Sequence, residues 1–172
     1  MPSIFLIRHG EPELTGVVLG QFDAPLSMRG REQAAAATAN LQVHRTYTSP
    51  LLRATQTAEC IDSRELHIVE ELREVDLGEW TGKSWTQIEE QWGDLARRKT
   101  ADWLGIPAPG GETWESVMRR AEAALHIIRS GPDPCAVVAH QGINSALANL
   151  ITGCDPLTFA QEYGEVIHLE YE

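Results

Sequence analysis

Short apolar runs alternate along the chain with stretches of helical spacing. Ser3 to Arg8 is a run of six residues bounded by turn formers, the pattern of a strand buried on both faces. Cys135 to Ala139 is a second continuous apolar run. Arg45–Thr48 and Leu66–Val69 are shorter strand candidates, and Val166–Tyr171 alternates as an edge strand does. Between them, Ser27–Gln42 reads as a helix, with Ser27 at the N-cap and an alanine-rich body from Ala34 to Ala37. Ser49-Pro50 predicts another helix start, Ser49 as N-cap and Pro50 at the first helical position, followed by Leu51, Ala54, Ala58 and Ile61. Thr113 can cap a long helix carrying Trp114, Val117, Ala121, Ala124, Leu125 and Ile128, which Gly131-Pro132 ends. The run from Cys135 leads through His140-Gln141-Gly142 into a helix with Ile143, Leu147, Leu150 and Ile151, with Gly153 just past its end.

Strand–helix alternation predicts an α/β fold: a mainly parallel sheet with one antiparallel edge strand, covered by helices on both faces as a three-layer α/β/α sandwich. Ligands of such sheets bind beyond the carboxyl ends of the strands. Arg8-His9-Gly10 ends the first strand, Arg53 lies in the first turn of the helix after the second, and His140 closes the strand from Cys135. Three distant segments thus bring Arg, His, Arg and His to one edge.

The length of 172 residues suits a single domain spanning 1–172, with no repeat and no linker. No apolar run approaches the roughly 20 residues of a membrane span, and the N-terminus lacks a secretory pattern. Three scattered cysteines, Cys60, Cys135 and Cys154, fit neither a disulfide framework nor a zinc knuckle, which points to a cytoplasmic setting. No His/Cys/Asp/Glu cluster has metal-ligand spacing, so no metal or cofactor is expected. A net charge of −11 excludes a nucleic-acid groove. For an anionic substrate, the few cations must therefore be gathered at the site.

Two arginines and two histidines suit a phosphoryl group. Arginine's fork matches phosphate oxygens and stays charged, and a neutral imidazole can attack phosphorus in line. Leu6-Ile7-Arg8-His9-Gly10-Glu11 resembles the RHG signature of the histidine phosphatase superfamily, which includes the cofactor-dependent phosphoglycerate mutases. The resemblance continues through Gly20–Ser27, Thr48–Ala58, Leu72–Gly82, Gly110–Thr113 and Val137–Gly142, in family order and over nearly the whole chain. It implies that His9 is the phosphorylated nucleophile and that Arg8, Arg53 and His140 hold the phosphate. It further implies Glu74 as proton donor to the leaving oxygen, with Glu11, Asp76 and Glu79 as the neighbouring acids that compete for that role, and Gln141 beside the substrate. One departure is Thr15, where several members carry Asn.

Glu11 reads as structural, and His44, His67, His126 and His168 match no motif. Cys135 reads as a small core residue. All five tryptophans fall between Trp80 and Trp114, a helical excursion that is either packing or a lid over the pocket, and Arg97-Arg98-Lys99 within it reads as a solvated face. The substrate-reading residues are expected between Lys83 and Pro109. The resemblance implies a phosphomonoesterase acting on a small phosphorylated metabolite, α-ribazole phosphate among the candidates. The competing readings are a phosphoglycerate mutase, which needs inserted segments a chain of this length has little room for, a protein phosphohistidine phosphatase, and an inactive phospholigand-binding module.

Overall fold

A computed structural model describes residues 2–171. Five strands form one sheet: β1 (Ser3–Arg8), β2 (Gln42–Thr48), β3 (Asp62–Ile68), β4 (Cys135–Ala139) and β5 (Val166–Glu170), in the order β3-β2-β4-β1-β5. β1 pairs parallel with β4, β4 with β2, and β2 with β3, while β5 runs antiparallel on the outer edge of β1. The expected sheet, with its one antiparallel edge, is present.

The two-residue period of the central strands divides the core into two layers. Ile4, Leu6, Val137 and Ala139 face helices α4 (Trp114–Arg129) and α5 (Gln141–Thr152). Ile7, Ala136 and Val138 pack instead with Ala54 and Ala58 of α2 (Leu52–Ala58), on the face where α1 (Met28–Thr38) also lies against α2. Thr113 caps α4 through a bond from the Ser116 amide, and Gly153 closes α5 at φ 75°.

Several boundaries differ from those expected. α1 stops at Thr38, not Gln42: the Thr38 hydroxyl is buried on the carbonyls of Ala34 and Cys60, and the chain turns so that Val43 points into the core from β2. Ser49 does not cap α2, which starts three residues later behind Leu51 with no side-chain cap. Its amide still bonds the Val138 carbonyl at the sheet edge, and its hydroxyl is drawn to His140. β3 extends back to Asp62 and is an exposed edge, with Ile68 61% accessible.

The segment 80–114 builds a small core of its own. Helix α3 (Trp85–Ala101) begins at a capping box between Ser84 and Gln87 and kinks at Trp92. Trp80 is fully buried, edge-on to Trp85 at 5.7 Å, with Ile88, Ala96 and Ala108 around it. No helix among the described residues is long and apolar enough to cross a membrane.

Candidate active site

The carboxyl ends of β1, β2 and β4 deliver Arg8, Ser49 and His140 to one edge, and α2 presents Arg53 to the same place. Close backbone approach fixes the first loop: a Cβ on Gly10 would collide with the Gly30 carbonyl at the start of α1. The Gly10 amide donates to Thr57 Oγ1, whose hydroxyl donates to the Arg53 carbonyl, so the loop after β1 and helix α2 are tied at one point.

His9 is 4% exposed, and its hydrogen bonds define its tautomer. Nδ1 lies 2.6 Å from the Gly10 carbonyl, which can only accept, so the proton is on Nδ1. Nε2 accepts from Arg53 Nε at 3.2 Å and is therefore the unprotonated nitrogen, its lone pair turned to that N–H. Burial, reinforced by the Arg53 and Arg8 charges, pushes the His9 pKa down to about 3, so the ring is neutral at ordinary pH. Arg53 is itself buried, and desolvation lowers its pKa. The rest of its guanidinium grips the carbonyls of Phe22 at 2.7 Å and Gly20 at 2.8 Å, which anchors the 20–22 loop over the site.

His140 lies behind His9, with ring centroids 5.0 Å apart, and is fully buried. Ser49 Oγ accepts from the Leu51 amide and lies in hydrogen-bond contact with His140 Nε2 at 2.8 Å. Nδ1 of His140 is buried and has no partner. Burial first, then the nearby His9, Arg53 and Arg8, hold its pKa well below the ordinary value. Arg8 stacks on Tyr163 at 4.2 Å and donates to the Gln161 carbonyl at 2.6 Å, leaving its buried Nε without an acceptor. Two orphaned buried nitrogens, the Nε–H of Arg8 and Nδ1 of His140, beside the lone pair of His9 make an arrangement suited to oxyanions around an electrophilic centre.

Glu74 approaches from the other side and seats its carboxylate on the N-terminus of α5. One oxygen accepts the Val75 and Ile143 amides at 2.8 and 3.2 Å, and the other accepts Gly142 at 3.1 Å. The loop behind it is clamped by Arg120. That guanidinium pairs with Glu112 at 2.8 and 2.9 Å and donates to the carbonyls of Glu71, Arg73 and Glu74 at 2.6, 3.0 and 3.5 Å. Gln141 reaches the same edge, but both ends of its amide are committed, donating to the Phe159 carbonyl and accepting from the Gln161 amide.

Arg8, His9, Arg53, Glu74 and Gln141 line one cavity of about 470 Å³, while His140 supports it from behind. Lys99 also lines it, contrary to the solvated face expected for 97–99. Arg97 and Arg98 are exposed, but Lys99 is 6% exposed, its ammonium donating forward to the carbonyls of Trp103 and Ile106 in the turn that follows α3. The walls come from further afield than Lys83–Pro109, adding the 17–20 loop and the 156–163 loop. Gln161 and Tyr163 carried no sequence motif, nor did Arg120 stand out from its helix. Thr15 is exposed, Glu11 accepts from the Ser27 hydroxyl at the head of α1, and the four other histidines are all exposed. Among the described residues no group of three His, Cys, Asp or Glu is placed to hold a metal.

Comparison with known proteins identifies the family and the fold. The family model of the histidine phosphatase superfamily (branch 1) matches residues 4–172. Phosphoserine phosphatase 1 of Hydrogenobacter thermophilus is 30% identical over 186 residues, covering 99% of this chain and 88% of the relative. Glucosyl-3-phosphoglycerate phosphatase of Mycolicibacterium vanbaalenii is 33% identical over 170 residues, covering 87% and 74%. The crystal structure of the alpha-ribazole phosphatase from Shigella flexneri superposes with a TM-score of 0.86 at 26% identity, covering 98% of this chain and 90% of that one. A sheet edge that gathers Arg8, His9, Arg53 and His140 on this framework, matched across residues 4–172, makes the chain a member of the histidine phosphatase superfamily.

Proposed function

We propose that the chain hydrolyses small phosphate monoesters by passing the phosphoryl group through Nε2 of His9 to water. The observation that carries this reading is the His9 tautomer: Nδ1 spends its proton on the Gly10 carbonyl, so Nε2 presents a lone pair at the cavity. An incoming phosphoryl oxygen takes over the Arg53 Nε–H that now rests on Nε2, while Arg8 Nε and His140 Nδ1 serve the other oxygens. Nε2 forms a bond to phosphorus as the ester P–O bond breaks, and Glu74 in its acid form gives a proton to the leaving alkoxide. Glu74, now a carboxylate, takes a proton from water as that water attacks phosphorus. The P–N bond breaks, and inorganic phosphate and neutral His9 are released.

The names of its relatives offer phosphoserine, glucosyl-3-phosphoglycerate and α-ribazole phosphate as esters to assay. In the excursion, Trp103 and Trp114 line the cavity while Trp80, Trp85 and Trp92 pack beneath, so the segment supplies both a wall and its support. The test is hydrolysis of p-nitrophenyl phosphate. The protein releases p-nitrophenol and inorganic phosphate, and His9→Ala reduces this to background. Stoichiometric binding without turnover would make the chain a phospholigand-binding module. Conversion of 3-phosphoglycerate to its isomer without release of phosphate would make it a mutase.

A further inference from the structure

On the footing of that phosphatase reading, we propose that the ester this chain takes has a bulky, predominantly apolar organic group, aromatic or alicyclic, with no second anionic group. A cavity of about 470 Å³ is far larger than a phosphoryl group needs and falls in the range that encloses an organic ligand. Beyond the arginines, three separate segments face it with apolar side chains: Val18 and Leu19 after β1, Trp103 and Leu104 after α3, and Leu157 and Phe159 before β5. Trp103 and Leu157 stand at 44% and 60% exposure, so an apolar group seated between them removes their surface from water as well as its own.

Several of the polar groups at that end are already engaged. The Gln141 amide is bonded at both ends, Ser145 donates to the Gly142 carbonyl, and two of the Lys99 donors hold the carbonyls of Trp103 and Ile106. A polyol or sugar would have to exchange its water for few free partners, which is costly. A second carboxylate would meet Glu112 on the same wall and gain no donor from Arg120, whose guanidinium is committed to Glu112 and to three backbone carbonyls. Lys99 instead shapes the wall, fixing the turn that carries Trp103 and lying 4.5 Å from that ring.

The experiment measures kcat/KM of the full-length protein for methyl, propyl, butyl and hexyl phosphate, cyclohexyl phosphate, glycerol 3-phosphate and an ω-carboxyalkyl phosphate. The n-alkyl series holds the leaving group's intrinsic reactivity nearly constant while apolar area grows. The expected gain is about two- to four-fold per methylene. Hexyl then exceeds methyl by at least about thirty-fold, and the carboxylated ester falls at least about ten-fold below the alkyl ester of the same length. Trp103→Ala and Leu157→Ala each lower the hexyl-to-methyl ratio. A flat alkyl series overturns the proposal. So does a carboxylated ester preferred over its alkyl counterpart, which together with loss of that preference in Lys99→Met would make Lys99 an anion reader. No turnover of any ester, p-nitrophenyl phosphate included, overturns the hydrolase reading beneath it.

Discussion

Gly142 offers a direct test of the proposal that Glu74 is the proton donor. It is the second residue of α5, and a Cβ built there would lie 2.5 Å from Glu74 Oε1 and 2.7 Å from Val75 Cγ2. Ordinary contact begins near 3.4 Å, so Gly142→Ala obliges the carboxylate to retreat by about 0.9 Å. The retreat stretches the bonds from the Gly142 and Ile143 amides, now 3.1 and 3.2 Å, beyond useful length. A misplacement of about 1 Å costs on the order of 100-fold in a positioned step, within the range of about 100- to 10,000-fold that general acids contribute. Alanine also favours the helix by roughly 0.5–1 kcal/mol over glycine, which offsets the crowding, so the fold should change little in stability. The assay compares kcat for an alkyl phosphate, whose alkoxide needs a proton, with kcat for p-nitrophenyl phosphate, whose leaving group hardly does. The expected result is a loss of about 100-fold for the alkyl ester and less than about five-fold for p-nitrophenyl phosphate, with urea unfolding unchanged within about 1 kcal/mol. Equal losses for the two esters, or an undiminished alkyl rate, would refute this placement of the acid.

Arg120→Met releases the Glu112 carboxylate and three backbone carbonyls of the acid-bearing loop at once. It should lower stability by about 2–3 kcal/mol and slow alkyl esters more than p-nitrophenyl phosphate, measured by urea unfolding and by the same pair of rates. Acid should weaken the fold through His9: between about pH 6.5 and pH 3 the unfolded chain binds a proton that the folded ring refuses, so stability falls as pH falls through that window. His9 alone accounts for about 2 kcal/mol between pH 7 and pH 5, and His140 adds in the same direction. Urea midpoints at the two pH values should differ less for His9→Gln than for the native protein, and an equal drop in both, or a His9 imidazole titrating near 6.5 by NMR, would contradict this.

The sheet was legible because β1 and β4 are apolar at every core position, and only a strand covered on both faces suits such a run. That placement also located Arg8, His9 and His140 at the strand ends. Local chemistry failed where a distant partner outbid it. Ser49-Pro50 has the composition of a helix start, but the serine hydroxyl bonds a histidine 91 positions away, which no local rule registers. Lys99 belongs by composition to a charged surface run, yet the tightening of the chain after α3 buries its ammonium on two carbonyls. Gln161 and Tyr163 lie in a loop without periodicity, and their value comes from contacts to β1, to α5 and to Arg8 that exist only after folding.

Phosphoryl transfer through this site would pass by one nitrogen of one ring, Nε2 of His9. Mixing the protein with a ³²P-labelled ester, quenching in alkali within milliseconds and mapping the label tests it directly. An acid-labile adduct on His9 at Nε2 is expected, because Nδ1 is turned to the Gly10 carbonyl. Label on Nδ1, label on another residue, or rapid turnover with no adduct at any time would contradict it.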